Sequence, residues 1–362
     1  MRPSYFTHHI RQWAWFKPVQ AFLFVLLAIG FYLGQRQCTK TTASHQLQTT
    51  SGYRWQSIAL MGTQIEVMLL AHYKAESFGE VFRIFREINA EMSEWQDTSS
   101  IAAINRLVGQ QPVKISRNLF ALLRRSIEIG DLTNGAFDIT WAAMWGLWKF
   151  TAPNLRKPTT AEIQKRLPLI DYRKLQLDET QQTAYLPTVG MKIGLGAIAK
   201  GYALNMAAGR LRQQGIRNFL ISAGGQIYAD GTRRGQAWRI GIRNPRGAAD
   251  DFFATLHITN TSVSTSGDYE RFFIAQNQRY HHILDPRTGL PSRYLRSATV
   301  ICQDAALADA LSTAFMVLPP SQSLAIIQKI PQVQAILVDQ KSQVILSHNI
   351  ADILQIHYQP PL

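Results

Sequence analysis

The stretch 191-MKIGLGAIAKGYALNMAAGRLRQQGIRNFLIS-222 decides the fold class. It reads as a strand, a tight glycine turn, a long helix and a second strand. Gly194, Gly196 and Ala199 satisfy G-x-G-x-x-A, the spacing of a dinucleotide-binding turn. Free backbone N–H groups and the helix dipole at such a turn attract phosphate. A doubly wound dinucleotide fold also needs an acid near the end of the second strand to hold the ribose, and 217-RNFLIS-222 offers none. An ordinary Rossmann dehydrogenase is therefore set aside. Lys200, in the first turn of the helix, either reaches a phosphate oxygen or is a solvated helix lysine.

The flanking segments keep a mixed order. Upstream, 54-RWQSIALMGTQIEVMLLA-71 shows short β-type runs broken at Met61-Gly62-Thr63, and 77-SFGEVFRIFREINAEMSEW-95 places Val81, Ile84, Phe85 and Ile88 at helical spacing. A second helix is expected over 116-SRNLFALLRRSIEIG-130, with Ser116 as its cap and Gly130 as its stop. The Pro/Thr-rich piece 152-APNLRKPTTAE-162 reads as a connection between lobes or a surface insertion. Downstream come β runs at 237-AWRIGIR-243, 252-FFATLHI-258 and 297-SATVIC-302, then a helix over 304-DAALADALSTAFMVL-318. No fixed-period repeat is visible, and this order predicts an α+β fold rather than a regular βαβ ladder.

The chain has 362 residues, 46% hydrophobic and 17% charged, enough to bury a sizeable core. Lys and Arg outnumber Asp and Glu by 38 to 24, a balance that favours anionic partners. The basic residues are scattered, and with neither zinc-finger spacing nor an RNA-binding signature no nucleic-acid partner is expected. At the N-terminus, Arg2, Arg11 and Lys17 precede the charge-free apolar run 19-VQAFLFVLLAIGFYLG-34. A cationic flank before an apolar core is the pattern of an export signal or a retained signal-anchor, which keeps its positive end in the cytoplasm. Residues 1–38 are thus expected to be a membrane segment, 39–52 a polar tether and 53–358 the folded domain. Gln35, Arg36 and Gln37 are too large and polar to make Cys38 a normal lipid-attachment site. With Cys302 the only other cysteine, a disulfide framework is not expected.

Two further clusters carry chemistry. The loop 279-RYHHILDPRTGLP-291 holds two histidines before a turn made by Asp285-Pro286 and Thr288-Gly289. The turn does not explain the histidines, which are capping groups or functional ones. In the late helix Asp309 and Thr313 lie four apart, so their oxygens share one face. Both are hard ligands of the kind magnesium takes.

In chain order, 61-MGT-63, 91-EMSEWQDTSSIAAIN-105, 135-GAFDIT-140, 196-GAIAKGYA-203, 265-TSGDY-269, 282-HILDPRTG-289 and 308-ADALST-313 resemble the FAD:protein FMN transferases, the ApbE family, from about Met61 to about Leu318. The resemblance implies a T-fold-like α+β architecture of mixed and antiparallel sheets with packed helices. It implies that Met61, Trp95 (where the family often has Tyr), Ala136, Phe137, Asp138, Lys200 and Ile283 line a site for FAD as substrate. It also implies that Ala197, through its carbonyl, holds magnesium with Asp309 and Thr313, and that His282 is the catalytic base. The expected reaction moves FMN from FAD to a Thr or Ser hydroxyl of an acceptor flavoprotein and releases AMP. A membrane redox complex subunit would be that acceptor, with the enzyme on the bacterial inner membrane facing the periplasm.

The sequence departs from the family where Gly194, Gln226 and Asn205 replace acids. Loss of the first removes a hydrogen bond to FAD, and the other two alter charge or structure nearby. These departures keep two alternatives open: a non-catalytic flavin-binding or delivery factor, and an FAD pyrophosphatase in which water replaces the hydroxyl.

Overall fold

The computed structural model describes residues 48–50 and 52–361. The expected membrane segment 1–38 and most of the tether lie outside the described residues. Among the described residues no helix is long and apolar enough to cross a membrane. Gln48–Thr50, inside the stretch read as tether, pairs as a short strand with Tyr53–Trp55.

Tyr53–Leu60 and Thr63–Leu70 form a hairpin in which Leu60 pairs with Thr63, leaving Met61 and Gly62 as a two-residue turn. Both turn residues have positive φ, 52° and 71°, the geometry whose twist matches that of the flanking strands. Ile65, Val67 and Leu69 are buried while Gln64 and Glu66 face solvent, as alternation along a strand requires.

This hairpin belongs to a nine-stranded sheet. Its order is Gln48–Thr50, Tyr53–Leu60, Thr63–Leu70, Leu220–Ala223, Gln226–Ala229, Thr261–Gly267, Leu295–Cys302, Gln334–Asp339 and Val344–Leu346. Every neighbouring pair is antiparallel. The strand Leu295–Cys302 is buried at all eight residues because both faces of the sheet are covered. Ala298, Val300 and Cys302 join a core made with the helices Ala75–Met92, Ala199–Gln213 and Ala305–Met316. Ile301, with Ile336 and Val338, joins a second core under a smaller sheet of Trp238–Arg243, Phe252–Ile258 and Leu354–Ile356. Helices, large sheet and small sheet thus form three layers, the expected α+β class with antiparallel pairing.

A third cluster of Met144, Leu147, Trp148, Ile163, Phe273 and Tyr280 sits under the hairpin Phe272–Ala275 and Gln278–His281. It fixes the strand that delivers the paired histidines.

Two expectations change and a third is narrowed. The strand read at 191–193 is only an isolated bridge between Lys192 and Trp141, and Gly194 N–H donates to Ile139 O at 2.8 Å. Gly130 does not stop its helix, which runs Arg117–Leu132 from the Ser116 cap. A Cβ at Gly130 would lie 2.8 Å from the Tyr172 ring, so this glycine serves close packing, and the chain turns at Asn134 and Gly135 with φ of 49° and 74°. Residues 152–162 lie within one compact unit with the rest of the described chain, so they do not connect separate lobes. Their end opens the helix Thr160–Arg166 through a capping box of Thr159 and Glu162.

Candidate active site

The site grows from a close contact between two helices. A Cβ on Gly201 would lie 2.1 Å from Ala305 O, so only glycine lets the helix Ala199–Gln213 meet the helix Ala305–Met316 here. That approach brings Gly201 N–H within 3.0 Å of Asp309 Oδ2, while Gln226 Nε2 donates to Oδ1 at 2.9 Å. Asp309 is 1% exposed. Burial pushes its pKa up, opposed by the charge of Lys200 and by these two donors. Thr313 lies one turn on, its Oγ1 3.3 Å from Ser266 Oγ and 3.4 Å from Asp309 O. Ala197 stands in the turn before the first helix, where Lys200 Nζ donates to Gly196 O at 2.9 Å.

Two of the departures from family acids now have local accounts. Gln226 follows the turn Gly224-Gly225 and supplies an amide donor where an acid would set a second carboxylate against Asp309. Asn205 Nδ2 donates to Asp304 Oδ1 at 2.7 Å while its Oδ1 accepts from Ala305 N–H at 2.8 Å. Asp304 caps the late helix, so an ionised Asp at 205, lacking a donor, would repel that cap. Asn205 therefore helps hold the helix that carries Asp309.

His282 arrives on the loop after the small hairpin. Its backbone N–H donates to Arg271 O at 3.0 Å, and its Nδ1 is shut off from solvent without a partner. Burial pushes its pKa down to about 3, reinforced by Arg271, His281 and Lys200. A free imidazole near 6.5 is therefore not what this site presents. His281 is buried and bridges the loop: Nε2 donates to Ser292 O at 2.8 Å and Nδ1 accepts from Ile283 N–H at 3.3 Å. Arg287 clamps Asp285 through Nε and Nη2, both at 2.8 Å, and reaches Val317 O at 3.0 Å. Ser292 Oγ donates to Met316 O. The histidine loop is thus fastened to the C-terminal end of the helix that bears Asp309 and Thr313.

The residues expected to line the FAD site fall into two kinds. Trp95 is 74% exposed and stacks on Trp145 at 4.5 Å between ring centroids. Met61 sits at a hairpin tip whose Thr63 abuts Gly224. Ala136, Phe137 and Ile283 bury their side chains in the main core, so what they offer a ligand is backbone. Asp138 is also committed: Oδ1 accepts from Thr140 N–H and Oγ1 at 2.7 and 2.6 Å, and Oδ2 accepts from Tyr172 N–H at 3.0 Å. Its carboxylate braces the loop that meets Gly194.

Glu94 went unnoticed in the sequence, although it lies inside the quoted 91–105 stretch. Burial pushes its carboxyl pKa up, opposed by the backbone N–H groups of Glu94 itself and of Leu195 and by the charge of Lys200. The Lys200 charge therefore acts on Glu94, Asp309 and His282 alike. No periodicity marks a lone acid just past a helix end, whereas a glycine turn and a helical D-x-x-x-T pair are visible in one dimension.

The ApbE family profile matches residues 61–337. A curated FAD:protein FMN transferase of Klebsiella pneumoniae is 33% identical over 292 residues, covering 80% of this chain and 90% of its own. One from Treponema pallidum is 32% identical, covering 75% and 80%. The crystal structure of the ApbE protein of Thermotoga maritima superposes with a TM-score of 0.76 at 30% identity, over 83% of this chain and 99% of its own. The flavin transferase ApbE of Vibrio cholerae, at 24% identity and a TM-score of 0.73, shares the fold over 85% of this chain and 100% of its own. With ordered motifs, a matching profile and structural likeness over more than four-fifths of the chain in agreement, the chain is a member of the ApbE family.

Proposed function

We propose that this protein transfers FMN from FAD to a Thr or Ser hydroxyl of an acceptor flavoprotein, with magnesium, releasing AMP. The observation that carries the reading is the junction where Lys200, Asp309, Thr313 and His282 are held together by two helices and a clamped loop. The names of the relatives support it.

The residues present fit a hard divalent cation. Asp309 is a desolvated carboxylate, Thr313 presents a hydroxyl on the same face, and the neighbouring Gln226 Oε1 is a buried acceptor without a donor. Asp309, Thr313 and the Ala197 carbonyl would hold magnesium, which when bound screens the charge that builds on a diphosphate. Lys200 adds a fixed positive charge at the same place. His282 would take the proton of the acceptor hydroxyl at Nε2, the ring nitrogen not sealed from solvent. With a pKa near 3 it is a weak base in the ligand-free site. An anionic diphosphate beside Lys200 and Arg271 offsets the positive neighbours and moves that value upward. The acceptor oxygen then bonds to the phosphorus that carries riboflavin, and the bond from that phosphorus to the AMP oxygen breaks.

We extend the proposal to location. The cationic flank and apolar run of residues 1–38 favour a membrane anchor with a periplasmic domain, and a membrane redox subunit as acceptor. Protease added outside spheroplasts would digest the domain under this reading and spare it otherwise.

Incubation of the protein with FAD, magnesium and a candidate acceptor tests the chemistry. Transfer gives a covalently fluorescent acceptor and one AMP per flavin attached. AMP with free FMN and no labelled protein means hydrolysis instead, and bound, unchanged FAD means delivery.

A further inference from the structure

We propose that Glu94 is an FAD-binding residue whose carboxylate accepts a hydrogen bond from an uncharged N–H or O–H group of the dinucleotide, occupying the place left by the missing acid at Gly194. The inference rests on the reading of this site as an FAD site and adds a residue to it.

A Cβ at Gly194 would lie 3.3 Å from Glu94 Oε1, and one at Gly196 would lie 3.9 Å from the same oxygen. The carboxylate has entered from the neighbouring loop into the space beside the bare glycine turn. The backbone N–H groups of Leu195 and of its own residue act on it, and among the described residues no side-chain donor does. An ionised carboxylate has about four acceptor positions, so capacity is left over. Phosphate oxygens are repelled by it, which leaves ribose or ribityl hydroxyls and the N–H edges of the two ring systems as partners. The adjacent Trp95 exposes an indole on which a flat ring can stack, within reach of an acceptor one residue away.

The same distances forbid two acids at once. An aspartate at 194 alongside Glu94 would set two carboxylates nearly in contact, and one of them would have to take up a proton. The walls are tight as well, since the Cβ would meet Ala142 Cβ at 3.1 Å and Trp141 Cζ2 at 3.3 Å. Gly194→Ala measures that steric part alone.

FAD dissociation constants, read from quenching of the protein's tryptophan fluorescence, test the proposal on the full chain without turnover. Glu94→Ala is expected to weaken FAD about tenfold or more, as loss of a hydrogen bond to a charged group does, and the isosteric Glu94→Gln to weaken it less. Gly194→Asp alone should weaken FAD beyond Gly194→Ala. The double variant Glu94→Ala with Gly194→Asp should return to within about threefold of Gly194→Ala, because one acid again stands at the turn. Titrations with FMN and with AMP show which half carries the donor, by which affinity falls in Glu94→Ala. Unfolding midpoints confirm that the variants are folded. Parent-like FAD affinity in both Glu94 variants overturns the proposal, as does a double variant no better than Glu94→Ala. Failure of the parent protein itself to bind FAD overturns the functional reading on which it rests.

Discussion

Asp309 and Trp95 stand at opposite extremes of exposure. The carboxylate is 1% exposed and both its oxygens are engaged, by Gly201 N–H and Gln226 Nε2. The indole is 74% exposed and is held by a stack on Trp145. The first region fixes charged and polar atoms between two helices that approach as closely as glycine permits, where a displaced atom cannot be accommodated. The second offers apolar area that can slide. The proposed transfer, which stabilises charge at a phosphorus and docks a flat ring, would use rigidity at one end and tolerance at the other.

Substitutions should respect that division. Asp309→Ala should abolish acceptor labelling, and His282→Ala should lower its rate by about 10²–10⁴-fold, with both variants folded by circular dichroism. Near-parental labelling by either would remove that residue from the chemistry. Gly201→Ala should cost about 3 kcal/mol or more in denaturant unfolding, because a methyl 2.1 Å from Ala305 O must push the helices apart. An unchanged midpoint would show that the junction is softer than described. Arg287→Ala should slow labelling up to about a hundredfold, since it releases the histidine loop from Val317 while touching no reacting atom. At the tolerant end, Trp95→Ala should raise the FAD concentration needed for half-maximal rate by about tenfold or less, and Trp95→Tyr should hardly change it. A collapse of the maximal rate in Trp95→Ala would place the ring nearer the chemistry than the rim.

A further effect is a pH slope. His282 has a folded pKa of about 3 against an ordinary 6.5, so between those values the unfolded chain binds a proton that the folded one refuses. This contribution to stability is complete above about pH 6.5 and is lost as pH falls toward 3. His282→Asn should flatten that part of the stability curve, and an identical slope in the variant would reassign the acid sensitivity to other groups.

The sequence made the rigid end more legible than the tolerant one. Ser116 as a cap, the Met61-Gly62 turn and the alternation of Ile65, Val67 and Leu69 follow from local rules, and the structure has them. Asp309 and Thr313 stood out because one helix sets their spacing. Glu94 and Arg287 could not be read that way. Their roles depend on Leu195 and Val317, which approach only after the loops fold back, and no one-dimensional period encodes that approach. Gly130 misled for the same reason, being dictated by the Tyr172 ring and not by the end of its own helix.

The most direct measurement is a crystal of this protein grown with FAD and manganese in place of magnesium, read by anomalous scattering. The proposed function predicts a peak at the Asp309 carboxylate and the Thr313 hydroxyl, beside the diphosphate of the dinucleotide. A metal peak bound elsewhere, or a diphosphate lying away from Asp309 and Lys200, would contradict it.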